Sequence, residues 1–172
     1  MKEKFLTYFM DIAHRTADLS YAKKLKVGAI LVKNGNIIGF SYNGSPSGWD
    51  NNAEDKVFVS MEDAVSLDYP DLYKKYPYSE MLSGDIIRFD LKTKPEVSHA
   101  EENLIMKLSK STESSDGSSM FVTHNPCFVC SRLIYGAGVK EVYYSFDYRD
   151  SSGIDFLRKC GIKVEKICQK KN

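Results

Sequence analysis

The apolar positions of residues 4–19 follow a helical period. Phe5, Phe9, Ile12, Ala13 and Leu19 mark the inner side of a predicted amphipathic helix. The pattern changes at residue 27. "VGAILVKNGNIIGFSY" (27–42) places two β-branched-rich runs around Asn34-Gly35, a dipeptide suited to a type I′ turn, and predicts an antiparallel hairpin. "NGSPSG" (43–48) reads as a loop. Residues 49–97 mix charges with tyrosines, and Pro70 and Pro77 interrupt any long helix, so one or two short helices are expected there. Regularity returns at Ser98. "SHAEENLIMKLSKS" predicts a helix with Ser98 as N-cap, acids in the first turn, and Leu104, Ile105 and Leu108 on the apolar side. "ESSDGSS" (113–119) is a solvated loop and "MFVTH" (120–124) a buried strand. Pro126 is expected in the first turn of the next helix, which Gly136 and Gly138 close. A strand "KEVYYSFDY", a short helix "IDFLRKCG" and a last strand "IKVEKIC" follow.

Strand and helix alternate after residue 98, which predicts parallel strands joined by crossover helices. The front hairpin adds an antiparallel pair. The expected fold is α/β, with a mixed five-stranded sheet covered by helices. One domain is expected over residues 1–172, with an insertion at 51–97.

Composition narrows the classes. The chain has 172 residues, 42% hydrophobic and 27% charged, enough for a sizeable core. A net charge of +1 lacks the basic footprint of a protein that grips long nucleic acid, but leaves room for a small anionic ligand. No run of 18 apolar residues is present, so no membrane span is expected. Acidic residues inside the first apolar stretch argue for a mature helix over a signal peptide. The cysteines are Cys127, Cys130, Cys160 and Cys168, with none among the first 126 residues. That distribution argues against a disulfide scaffold and for a reducing, cytoplasmic setting.

Cys127 and Cys130 stand at i and i+3 near a helix start, so both sulfurs face one side where the helix dipole favours thiolates. Taken alone, the pair fits a redox site, a structural zinc half-site or two core thiols. A closed four-cysteine site would have to recruit Cys160 and Cys168 from a different helix and strand. There are three histidines. His14 is expected on a solvated helix face, and His124, crowded against Pro126, outside any ligand set. His99 opens a helix with Glu101 two residues later. His-x-Glu ahead of Pro-Cys-x-x-Cys is the pattern of zinc nucleobase deaminases, with three protein ligands and an open fourth position.

On these residues the chain resembles the cytidine/deoxycytidylate deaminase superfamily, and within it the dCMP deaminases. "VGAILV", "YNGSPSGWDN", "HAEENLI", "NPCFVCSRLIYGAGVKEVYY" and the trailing "YRD" carry the likeness, while residues 51–97 add little. The Tyr-Asn-Gly-x-Pro-x-Gly loop selects the dCMP branch. The resemblance implies a three-layer α/β/α sandwich and hydrolysis of dCMP to dUMP and ammonia. It implies Zn²⁺ on His99, Cys127 and Cys130, and Glu101 as proton shuttle. It implies substrate contacts from Lys24, Asn43, Gly44, Ala100 and Tyr148. Lys24 stands where many relatives carry the arginine of a Cys-x-Arg pair, so its phosphate grip is a point charge instead of a fork. Some relatives hold a second, structural zinc; with no cysteine before Cys127, one zinc per chain is expected here. The likeness further implies a homo-hexamer or other homo-oligomer, with dCTP and Mg²⁺ as activator and dTTP as inhibitor. Rival readings are a dCTP deaminase, a tRNA adenosine deaminase, which needs a polynucleotide-binding face, and a catalytically dead zinc module, which has no use for Glu101.

Overall fold

The structure, a computed structural model, describes residues 1–148 and 150–167; Arg149 of the "YRD" motif and Cys168 of the expected last strand lie outside the described residues. The helices are α1 (Glu3–Ala17), α2 (Met61–Ser66), α3 (Tyr69–Lys75), α4 (Ala100–Leu108), α5 (Phe128–Gly136) and α6 (Ser152–Lys159). The strands are β1 (Gly28–Lys33), β2 (Asn36–Tyr42), β3 (Glu54–Phe58), β4 (Tyr78–Leu82), β5 (Asp85–Thr93), β6 (Ser119–His124), β7 (Glu141–Phe146) and β8 (Lys163–Lys166). No described helix is long and apolar enough to cross a membrane.

The main sheet has five strands in the order β2-β1-β6-β7-β8. β1 is antiparallel to both β2 and β6, while β6, β7 and β8 run parallel. Asn34 and Gly35 make the hairpin turn with φ of 52° and 78°, the left-handed pair a type I′ turn requires. Because strand side chains alternate faces, the central strands build two cores at once. Ala29, Leu31, Met120, Val122, Val142 and Tyr144 point to the side covered by α4, α5 and α6. Ile30, Val32, Phe121 and Tyr143 point the other way, onto Leu6, Phe9, Met10 and Ala13 of α1. The result is the three-layer α/β/α arrangement.

Several local expectations are corrected. The buried face of α1 runs through Leu6, Phe9, Met10, Ala13, Thr16 and Ala17, whereas Phe5 and Leu19 are exposed. His14 is half-buried: its Nε2 lies 2.9 Å from Ser145 Oγ and its ring packs edge-on against Phe146. The N-cap of α4 is His99, not Ser98; Ser98 instead exchanges two backbone hydrogen bonds with Gly44. Pro126 precedes the N-cap Cys127 and lies outside the first turn of α5.

The largest correction concerns residues 54–93. Two short helices are present, capped by Ser60 and Asp68, and Pro70 sits in the first turn of α3 where it had been expected only to interrupt. Between and around them stands an antiparallel sheet of order β3-β5-β4 that the sequence pattern did not predict. β3 and β4 are exposed over most of their length, whereas β5 alternates, with Phe89 and Leu91 buried and Ile87 half-buried, a period-2 signal that the mixed composition of the region hid. The Ser83-Gly84 turn, with φ of 53° and 94°, is a second local signal.

The two sides of this packing predict opposite outcomes. Leu104 of α4 is fully buried between helix and sheet, so Leu104→Ala should cost about 2–5 kcal/mol in urea denaturation. Phe5→Ala, at an exposed position, should stay within about 0.5 kcal/mol of wild type.

Candidate metal centre and active site

The site forms where two helices begin. α4 starts at His99 and α5 starts at Cys127, just past the carboxyl end of β6. This is where open α/β sheets place ligands, because strand ends and helix starts leave backbone N–H groups free. The bridge between Gly44 and Ser98 fixes the chain directly before His99 (N···O 3.2 and 3.1 Å). At the other helix, Gly153 lies so close to the ligand loop that a Cβ would sit 2.2 Å from Pro126 O and 2.9 Å from Cys127 C. The start of α6 therefore braces the start of α5.

His99, Cys127 and Cys130 converge, with their donor atoms all within 4.8 Å of one another. His99 Nδ1 lies 3.6 Å from Cys127 Sγ and 3.4 Å from Cys130 Sγ. A tetrahedral zinc with ordinary Zn–S and Zn–N bond lengths demands an S···N separation of about 3.6 Å. The trio therefore fits zinc in donor type and in spacing. His99 is exposed, Cys127 half-buried and Cys130 buried, so the group opens to one side.

The charges agree with a metal-ready site. The Cys127 thiol is pushed down to about 4 by the hydrogen bond from Cys130 and by His99. The same hydrogen bond, with burial, pushes Cys130 up, and the bond to Cys127 raises His99. The site thus favours a thiolate at Cys127, while Cys130 must give up its proton to bind a metal. Glu101 is 4% exposed, and burial raises its carboxyl to about 7.

A cavity of about 440 Å³ adjoins this cluster. Of the sequence-predicted residues, His99, Glu101, Cys127, Lys24, Asn43, Ala100 and Tyr148 border it. Gly44 does not; it borders a separate groove with Tyr42 and Trp49. Asn43 spends both ends of its amide on the neighbouring loop, accepting from Val27 N–H (2.8 Å) and donating to Leu25 O (2.9 Å). Lys24 Nζ donates to both carboxylate oxygens of Asp90 (3.0 and 2.9 Å) and to Leu91 O (2.7 Å), which occupies all three of its hydrogens. Tyr148 N–H donates to Asn125 Oδ1, and Asn125 Nδ2 donates to Asp150 O at 2.9 Å.

Four further groups border this cavity: His124, which the sequence reading set aside only as a metal ligand, and Asn125, Asp147 and Glu54, which it did not single out. The first three sit at the carboxyl ends of β6 and β7, a position that topology marks once the parallel strands are recognised. Glu54 had no such signal, because β3 itself was not foreseen.

Comparison with known proteins agrees with this geometry. The model of the cytidine and deoxycytidylate deaminase zinc-binding region matches residues 3–146. Deoxycytidylate deaminase of Enterobacteria phage T4 is 30% identical over 176 residues, covering 94% of this chain and 89% of that one. The Homo sapiens deoxycytidylate deaminase is 35% identical over 153 residues, covering 84% and 66%. Among solved structures, the dCMP deaminase of cyanophage S-TIM5 in complex with dCMP and dUMP superposes with a TM-score of 0.73 at 38% identity, covering 97% of this chain and 99% of that one. A trio spaced for zinc beside a buried carboxylate is what a hydrolytic zinc deaminase requires. The chain belongs to the cytidine and deoxycytidylate deaminase family.

Metal affinity should track the protons that must leave the trio. Zinc competition against a chromogenic chelator should show affinity falling roughly tenfold or more from about pH 8 to about pH 6, since bound His and Cys must be deprotonated. Cys130→Ser should abolish tight binding. A pH-independent affinity would contradict the ligand set.

Proposed function

We propose that this protein is a zinc-dependent deaminase that converts dCMP to dUMP and ammonia, a step that feeds thymidine nucleotide synthesis. The observation that carries the reading is the His99–Cys127–Cys130 trio, spaced for zinc, with His99, Cys127 and the buried Glu101 bordering one cavity. The dCMP deaminases among its relatives support the choice of base and sugar.

His99, Cys127 and Cys130 hold the metal. Zinc, when bound, supplies Lewis-acid activation of water near neutral pH. The rest falls to side chains. Glu101 receives the proton of the water that adds at C4, delivers it to N3, and passes a proton to the departing amine. Burial suits it to this work, because a carboxyl near 7 both accepts and releases protons at neutral pH. The cavity walls exclude bulk water from the ring and hold the nucleotide in place. Ala100, fully buried on the wall, leaves space beside the reacting carbon that a larger side chain would fill.

One zinc per chain accords with the packing near Ala22. Ala22 stands where the resemblance places a cysteine, and it packs with Ala53 and Val97 in a small apolar cluster that offers no ligand. The reading extends to a cytoplasmic homo-oligomer, a hexamer in the family pattern, that responds to dCTP with Mg²⁺ and to dTTP. Family membership supports that extension.

Glu101→Gln should keep the zinc and lose about 10²–10⁴-fold in turnover on dCMP, measured by loss of cytosine absorbance. Metal analysis should return one zinc per chain. Among dCMP, dCTP, deoxycytidine and CMP, dCMP should show the highest kcat/KM; no turnover of any of them by the zinc-loaded protein would overturn the assignment.

A further inference from the structure

One buried amide joins the ligand loop to the chain that follows β7. Asn125 comes directly after β6, two residues ahead of Cys127, and is 4% exposed. Its backbone N–H donates to Phe146 O (2.9 Å), just beyond the last β6–β7 pair, His124 with Phe146. Its side chain then bonds two backbone groups of the β7–α6 connection. Oδ1 accepts from Tyr148 N–H, and Nδ2 donates to Asp150 O (2.9 Å). At the far end of that connection Gly153 lies close against Pro126 O and Cys127 C. The chain from Phe146 to Gly153 is thus joined to residues 125–127 at its start, its middle and its end.

The task explains the residue. Accepting from one peptide group while donating to another needs an amide; a carboxylate of the same shape only accepts. Both bonds are shielded from water, where a group left unmet is costly. What the middle bond holds is the backbone of Tyr148. Tyr148 borders the 440 Å³ cavity together with His99, Glu101 and Cys127, and its ring meets His124 edge-on at 6.3 Å. A ring carried on irregular chain keeps its place only as well as the backbone under it. Asn125 ties that backbone to the same short loop that carries Cys127.

Resting on the dCMP reading above and on the substrate contact expected of Tyr148, we propose that Asn125 is a positioning residue for turnover, which sets the Tyr148 ring at a fixed separation from the metal ligands. Both ends of its amide bond backbone groups, so it acts through Tyr148. It lies outside the proton path and supplies no metal ligand, so its contribution goes into holding the substrate. An anchor set in advance loses little conformational freedom when the nucleotide binds. A small displacement of such an anchor, about 1 Å, is enough to cost a large part of the rate.

A double-mutant cycle separates positioning from bracing. Wild type, Asn125→Ala, Tyr148→Ala and the double variant, each zinc-loaded, are assayed on dCMP. Asn125→Ala removes the support and leaves the ring. Tyr148→Ala removes the ring and leaves the backbone N–H that Asn125 holds. Asn125→Ala should lower kcat/KM by about 10- to 100-fold when Tyr148 is present, mainly through KM, and by less than about threefold in the Tyr148→Ala background. Zinc content should not change, and the melting temperature should fall equally in both backgrounds. Equal kcat/KM penalties in both backgrounds, or loss of zinc from Asn125→Ala, assign Asn125 to bracing the ligand loop and overturn this inference alone. So does full activity of Tyr148→Ala, a result that needs no Asn125 variant. If Asn125→Ala does not fold, Asn125→Asp carries the same comparison, because it keeps an acceptor for Tyr148 N–H and loses the donor to Asp150 O; the same contrast between backgrounds is expected, and equal penalties overturn the inference. Absence of dCMP turnover in wild type overturns the inference and the substrate reading together.

Discussion

The structure is organised around holding three soft donor atoms at metal-binding separation and keeping a carboxyl dry beside them. Neither condition is met by a flexible loop. Two thiols at the start of α5 and an imidazole at the start of α4, 3.4 and 3.6 Å from them, stay together because the bodies of both helices are locked into the sheet. Leu104 and Ile134, both fully buried, are the anchors of those helices. The free N–H groups at the α5 start favour the thiolate, so the packing that makes the fold also makes the ligands. The desolvation that moves Glu101 to about 7 comes from that same packing.

The cavity walls use a different physics. The segment from Ala22 to Val27 interleaves three lysines with Ala22, Leu25 and Val27, and polar clamps fasten it. Asn43 bonds the backbone at both Leu25 and Val27, and Glu54 holds the N–H groups of Lys23 and Lys24. Asp90 and the Leu91 carbonyl take the Lys24 ammonium. Asn125 does the equivalent work on the opposite wall, tying Tyr148 and Asp150 to the loop that leads into Cys127. Buried side chains that satisfy backbone groups in this way turn irregular chain into a wall of defined shape, at low cost in unsatisfied polar atoms. A residue such as Lys24, expected from the family resemblance to contact phosphate, is held instead by structural partners, Asp90 and the Leu91 carbonyl.

The second sheet changes the meaning of the middle of the chain. Read for apolar period, residues 51–97 offer little outside β5, since β3 and β4 are largely exposed and carry charges where a core strand would not. In three dimensions β3 and β5 lie against the 22–24 segment and supply Glu54, Asp90 and Leu91 to it. A region with a weak sequence signal has a direct part in shaping the site.

The metal-binding chemistry was legible in the sequence because it resides in spacing. His-x-Glu and Pro-Cys-x-x-Cys place donors on helix starts by local geometry alone, and the continuous apolar runs of β1, β6 and β7 announce a core sheet because burial on two faces demands apolar residues at nearly every position. What the tertiary structure alone decided lies between distant segments. That His14 sits against Ser145 and Phe146, that Ser98 pairs with Gly44, that Lys24 meets Asp90, and that a carboxylate from β3 reaches the cavity all depend on contacts across tens of residues. Those contacts are polar, single and non-periodic. They leave no repeat in the sequence to read, and only the packed chain brings them within hydrogen-bond distance.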